Sequence, residues 1–142
     1  MNTTGELKGF HGEVYELDQK YFPWPWKKED WESLDDYKKL YGLNVSGKIK
    51  GFCLIHHVDG DNTLHLLKII LDPELRGTQI SQDFWKSLIH EFKKFSEKVF
   101  LEVESTNQRA IGFYQKMGFL PLRVIKGYYS NGSDGLSMEL TL

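Results

Sequence analysis

The stretch 64-LHLLKIILDPELRGTQISQDFWKSLIHEFKKF-95 decides the fold. Residues 64–71 are apolar and rich in branched side chains, interrupted by His65 and Lys68, which predicts a strand mostly buried on both faces. Asp72-Pro73 ends it, because proline has no N–H to give to a ladder. Arg76-Gly77-Thr78 then leads into a helix. Its apolar positions Ile80, Phe84, Leu88, Phe92 and Phe95 recur at spacings of four, four, four and three, one face of a helix. A glycine turn that delivers a strand into a helix N-terminus presents backbone N–H groups, a ready site for phosphate.

A second strand–helix unit follows. Val99, Leu101 and Val103 alternate with Phe100, Glu102 and Glu104, so each trio shares one face of a strand. Asn107 is placed to cap a helix carrying Ala110, Phe113 and Met117 on one stripe, with Ile111 and Tyr114 beside it and Gly118 as its closing glycine. Residues 122–125 predict a strand. After the turn 131-NGSDG-135, Leu136, Met138, Leu140 and Leu142 alternate with polar residues in a half-buried terminal strand. Neighbouring strands in the two units would open both helix N-termini at one sheet edge, the usual ligand crevice. There the turn at 76–81 would face Glu102, Asn107 and Tyr114.

Upstream, Val14, Leu17 and Tyr21 predict a short helix, broken by Phe22-Pro23-Trp24-Pro25-Trp26. That stiff aromatic loop either plugs the core with its rings or walls a binding cleft. Residues 27–39 predict a second helix, with Trp31, Leu34 and Tyr37 on one side. Strands at 41–45 and 49–58 flank a hairpin turn at Ser46-Gly47-Lys48, and Leu7 or Phe10 opens a first strand or docks the chain end. His56 and His57 are adjacent on a strand and point to opposite faces, so they cannot share one metal ion.

The 142 residues suffice for one domain with a real core, and 40% hydrophobic with 14% aromatic content excludes a disordered chain. A formal net charge of −2, from 18 basic and 20 acidic residues, favours neither nucleic acid nor an anionic membrane as partner. No apolar run approaches the roughly 20 residues of a membrane span, and the first ten residues lack a signal peptide's basic start and apolar core. The single cysteine, Cys53, excludes an internal disulfide, fits a reducing, cytoplasmic compartment, and reads as a small buried hydrophobe.

Taken by spacing alone, Glu102 fits a solvated strand face and Tyr114 a core ring. Two longer runs add to that reading. The stretches 69-IILDPELRG-77 and 102-EVESTNQRAIGFYQKMGF-119 resemble the strand and phosphate turn and the second motif of the GCN5-related N-acetyltransferase family, which transfers acetyl from acetyl-CoA. Within it, 127-GYYSNGSDGLSMEL-140 and the loop Phe22-Pro23-Trp24 resemble the N-terminal acetyltransferases of the bacterial ribosomal-protein alanine type.

The resemblance implies an α/β (α+β) domain over residues 1–142, with a central mixed, mostly antiparallel twisted sheet of about six or seven strands flanked by about four helices. It implies acetyl-CoA as co-substrate, no metal, and a peptide or protein N-terminus or a small amine as acceptor, in a monomer or weak homodimer. Glu102 aligns with a general base and Tyr114 with a general acid for the departing thiolate. Backbone groups at Ile69, Ile70 and Leu71 would hold the thioester carbonyl and pantetheine. The turn Arg76, Gly77, Thr78, Gln79, Ile80, Ser81 and Gln82 would hold the pyrophosphate, and Asn107 the pantetheine arm. Tyr128 and Tyr129, with Phe22 and Trp24, would contact the acceptor. The family's turn usually reads Arg-Gly-x-Gly-x-Gly or Ala, so Gln79 and Ser81 stand where small residues are expected. Gln79 must turn outward for the phosphate grip to survive. Two other classes remain: a lysine or small-molecule amine acetyltransferase, and a non-catalytic member that binds coenzyme A or a protein.

Overall fold

A strand, a tight turn and a helix do follow one another where the apolar run predicts them: β4 (Thr63–Leu71), a single 3-10 turn (Pro73–Leu75) and α3 (Gln79–Phe92). The computed structural model describes residues 2–142, and among them seven strands form one sheet with four helices packed on it. Before β4 come β1 (Asn2–Leu7), α1 (Gly12–Tyr21), α2 (Lys28–Glu32), β2 (Lys38–Val45) and β3 (Lys48–His56). After α3 come β5 (Lys98–Glu104), α4 (Gln108–Lys116), β6 (Leu120–Ile125) and β7 (Gly135–Thr141). The sheet order is β1-β2-β3-β4-β5-β7-β6, antiparallel throughout except for the β4–β5 pair. This is the expected mixed, mostly antiparallel sheet.

The two faces carry separate cores. Leu64, Leu66, Phe84, Leu88, Phe92, Val99, Leu101 and Ile111 pack under α3 and α4. Val14, Trp31, Leu40, Phe52, Leu54 and Ile70 pack under α1 and α2. A bulge in β4 decides which side chains reach which core. Ile55 of β3 faces Leu66, and the next residue back, Leu54, faces Lys68, so Leu67 is an extra residue in the ladder. Simple alternation would put Lys68 on the same side as Leu64 and Leu66. The inserted residue reverses the phase and turns Lys68 and Ile70 toward α1 and α2.

The parallel pair is short. Thr63, Leu64 and His65 pair with Lys98, Val99 and Phe100, and the two strands share no ladder beyond that. β4 runs six more residues to Leu71 and β5 four more to Glu104, leaving a slot through the middle of the sheet.

Two sequence expectations need correction. The second helix stops at Glu32 instead of running to residue 39. Ser33 leaves helical geometry and its hydroxyl donates to the Glu29 carbonyl, while the Asp35 side chain accepts from Tyr37 N–H and pairs with Lys38. Lys38 and Lys39 then join the ladder opposite His56 and Ile55. The apolar spacing of Trp31, Leu34 and Tyr37 mimicked a helix, yet Tyr37 is exposed. Phe95 also lies beyond the end of α3, as part of a turn, where its ring packs on Phe92 and His57.

Candidate active site

The turn before α3 is built from backbone. Gly77 adopts φ +74°, the left-handed region that favours glycine, and a Cβ there would meet nothing within 4 Å. Thr78 caps the helix by accepting from Ser81 N–H at 3.4 Å, and the Gln82 N–H donates to the Thr78 carbonyl. Thr78 N–H donates to Leu75, whereas the N–H groups of Gly77, Gln79 and Ile80 have no bonded partner among the described residues. Gln79 turns along the helix, its amide donating to Asp83 Oδ1 at 2.9 Å, so it lies outward as a phosphate site requires. Arg76 stands near Arg109, and burial and that like charge lower its pKa. Asn107 caps α4 by accepting from Ala110 N–H at 3.2 Å, which commits its carbonyl oxygen and leaves the amide nitrogen for another contact.

The other side of the slot is built from side chains. Glu102, only 11% exposed, accepts from His65 Nε2 at 2.6 Å on one oxygen and from the Tyr128 hydroxyl at 2.9 Å on the other. Burial pushes its carboxyl up, but the hydrogen bond and charge of His65 and the Tyr128 hydroxyl outweigh that and hold it below the usual 4.5. The carboxylate fixes the His65 tautomer with hydrogen on Nε2. The ring of His65 stacks on Phe100 at 4.4 Å.

Glu104, two residues along the same face, accepts from Trp24 Nε1 at 3.1 Å. Ser133 Oγ lies 2.9 Å from its other oxygen and 2.6 Å from Asn131 Oδ1, with one proton for the two. The Trp24 ring stacks on Tyr129 at 5.2 Å and 8°, and Tyr129 meets Tyr128 edge to face. Burial, then the neighbouring carboxylates and phenol, push Tyr128 and Tyr129 up to about 12, so both remain hydroxyl donors at neutral pH.

Tyr114 sits on α4, under the opposite face of the sheet from Glu102. Its ring packs edge to face on Phe113 and Phe119, both at 5.5 Å. Burial raises its pKa, and the Cys53 thiol and Tyr129 phenol add to the effect. Its proton is therefore held firmly at neutral pH.

Of the sequence-predicted residues, Glu102, Tyr128, Tyr129 and Trp24 come together through direct contacts, and the Gly77 turn lies beyond the end of β4. Phe22 does not join them: its ring lies over the Lys68 ammonium at 4.3 Å, on the core side of the loop. Sequence reasoning missed His65 as the partner of Glu102, Glu104 as the partner of Trp24 with Ser133 on its other oxygen, and Asp18 with Lys68. The signal available for the last pair was a charged residue inside an apolar strand. His56 packs against Tyr37, and His57 bonds the Asp61 carbonyl at 2.8 Å. No group of three or more ligating side chains gathers among the described residues.

A parallel strand pair thus parts over a glycine turn, with a held carboxylate on one face and a buried phenol on the other. The chain belongs to the acetyltransferase (GNAT) family, whose sequence profile matches residues 12–119. It is an acyltransferase that moves acetyl from acetyl-CoA to a primary amine. It is similar to the putative ribosomal protein bS18-alanine N-acetyltransferase of Bacillus subtilis (strain 168), with 32% identity over 134 residues, 91% of this chain and 87% of the relative. The ribosomal protein bS18-alanine N-acetyltransferase of Escherichia coli (strain K12) is 27% identical over 138 residues, 95% of this chain and 91% of the relative. The crystal structure of the ribosomal-protein-S18-alanine N-acetyltransferase from Escherichia coli superposes with a TM-score of 0.85 at 25% identity, covering 99% of this chain and 94% of that one. A GNAT family acetyltransferase from Elizabethkingia anophelis with acetyl-CoA bound shares the fold, with a TM-score of 0.79 at 19% identity over 99% and 98% of the two chains.

Proposed function

We propose that the acceptor is the α-amine of a protein N-terminus, acetylated by direct attack in a ternary complex with acetyl-CoA. The observation that carries this reading is Glu102: a largely buried carboxylate at the slot, gripped on both oxygens and kept ionised. An α-amine has a pKa near 8 and arrives largely protonated, so it needs an anion to draw it in and a base to take its proton. Glu102 takes that proton, directly or through one water, and Glu104 adds a second negative charge two residues away. The aromatic surface of Trp24, Tyr128 and Tyr129 suits the first residues of a peptide better than a small polyamine.

Acetyl-CoA supplies the thioester to be attacked and the thiolate that leaves. The free N–H groups of Gly77, Gln79 and Ile80 fit its pyrophosphate, with Arg76 and Thr78 at the rim and Ser81 and Gln82 in the first helical turn. The edge of β4 at Ile69, Ile70 and Leu71, which has no β5 partner, suits the extended pantetheine and the carbonyl. The Asn107 amide nitrogen, left over from the helix cap, suits the same arm. Tyr114 delivers the proton to the departing sulfur. Such an acceptor is met in the cytoplasm.

The test is to incubate the protein with acetyl-CoA and three acceptor sets: N-terminal peptides, lysine peptides with blocked N-termini, and polyamines. Thiol release is then followed. Release with the first set supports the reading. Release with either other set alone replaces it, and coenzyme A binding without release from any set would point to a non-catalytic member.

A further inference from the structure

Lys68 stands in the middle of an apolar strand, and its side chain is 2% exposed. An ammonium removed from water this completely needs a partner charge and further bonds. It has both. Lys68 Nζ donates to Asp18 Oδ1 at 2.8 Å and to the Trp24 carbonyl at 3.1 Å, and it lies over the rings of Phe22, Trp26 and Trp31 at 4.3, 4.7 and 5.6 Å. Asp18, fully buried, accepts on its other oxygen from Trp26 N–H at 2.8 Å and Trp31 Nε1 at 3.0 Å. Burial pulls the Lys68 pKa down and Asp18 opposes that.

Every polar contact this pair makes beyond itself goes to the loop at residues 22–26 or to the helix that follows it. None ties α1 to β4 except the pair's own bond. Two other bonds hold the ends of the loop, Phe22 N–H to the Asp18 carbonyl at 3.1 Å and the Gln19 amide to the Trp26 carbonyl at 2.5 Å, and neither reaches the backbone of Trp24. Pro23 and Pro25 flank Trp24 and have no N–H, and a residue before proline is held extended. The Trp24 carbonyl rests on Lys68, while its side chain reaches Glu104 and Tyr129. The same strand continues from Lys68 directly into Ile69, Ile70 and Leu71 along the slot.

We propose that the Asp18–Lys68 pair is a positioning device for the acceptor side of the active site. It locks the loop at residues 22–26 so that Trp24 closes on Tyr129 and Glu104. The proposal rests on the acceptor site read above. Lys68 touches no reacting atom and acts through Trp24.

The test uses the double variant Asp18→Asn with Lys68→Met, which removes both buried charges together and so avoids stranding one. The expected result is a rise of about tenfold in KM for an N-terminal peptide, the loss of one charge-assisted hydrogen bond's worth of positioning, with the acetyl-CoA Kd within about twofold. Amide exchange at the non-proline residues of the loop becomes faster. Adding Trp24→Ala to the double variant raises the peptide KM no further, because both changes cut the same tether. If the double variant fails to fold, Asp18→Asn with Lys68→Gln keeps both positions polar without stranding a charge and should move the same readouts in the same direction. An unchanged peptide KM, an equal loss in acetyl-CoA affinity, or additive effects with Trp24→Ala would overturn the proposal. A wild-type protein that acetylates no N-terminal peptide overturns the acceptor reading instead. Loop exchange needs no acceptor and still judges the pair: unchanged exchange in the variant overturns the lock.

Discussion

The two walls of the slot are made of different material. The wall at the start of α3 consists of main-chain N–H groups and an unpaired strand edge, with one residue, Gly77, whose identity its φ of +74° dictates. The wall on β5 consists of side chains, Glu102 and Glu104 on the strand with His65, Trp24, Tyr128 and Ser133 bonded to them. A backbone wall tolerates substitution, because any residue but proline supplies the same N–H. A side-chain wall does not, because each oxygen of both carboxylates already has a chosen partner. In the proposed reading the first wall serves the cofactor and the second the choice of acceptor.

The contrast breaks if the largest effects fall on the wrong wall. Glu102→Gln should lower kcat/KM by about two to four orders of magnitude, the usual worth of a positioned base, with acetyl-CoA affinity unchanged. Tyr114→Phe should likewise cut turnover far more than cofactor affinity, and equal losses in both would remove Tyr114 from the acid role. Because Glu102 is held below 4.5, it is ionised across the neutral range, so the rise of kcat/KM with pH should follow the acceptor amine toward about 8. A depressed carboxyl stabilises the fold above its unfolded value, and that stability is lost as pH falls through its folded value, below 4.5. Acid unfolding of His65→Ala, with one of the two grips gone, should therefore begin at higher pH than in the wild type.

Smaller effects sharpen the comparison. Lys68→Met alone leaves Asp18 charged and buried and should cost about 3–5 kcal/mol in denaturant unfolding. Gly77→Ala meets open space but keeps a left-handed φ, a strain of about 1–2 kcal/mol that should appear in the melting temperature and in a weaker acetyl-CoA Kd. Gln79→Gly should be the mildest. The Gln79 amide is already turned to Asp83, so isothermal titration should find acetyl-CoA affinity changed by less than about twofold, although the first helical position loses a better helix former. A large gain in affinity would mean the side chain does obstruct the turn.

Much of this architecture is legible without coordinates. The α3 stripe, the alternation of β5 and the Asn107 cap follow from local periodicity and capping chemistry, which neighbours in sequence determine. The carboxylate face of β5 is legible for the same reason. What stays hidden depends on partners far apart in the chain. His65 and Glu102 are 37 residues apart, and Asp18 and Lys68 are 50. Their meeting depends on strand order and, for Lys68, on a single extra residue at Leu67 that no periodicity rule reports. The end of α2 was misread because Trp31, Leu34 and Tyr37 keep helical spacing by coincidence while Ser33 and Asp35 bend the chain. Gln79 was suspect from its position in the motif, and only the rotamer that carries it to Asp83 resolves the matter.

The parting of β4 and β5 has a consequence for how the molecule survives when empty. From residue 66 to 71, β4 lies inside the sheet by order and yet has one ladder edge with no strand beside it. Proteins guard such edges at their rims with charges, prolines and short lengths, but this one is central and, apart from Lys68, apolar. Acetyl-CoA bound in the slot, as proposed, would serve as a strand the chain does not encode. Its supply becomes a term in solubility and shelf life, since any ligand that binds only the folded state raises stability by mass action.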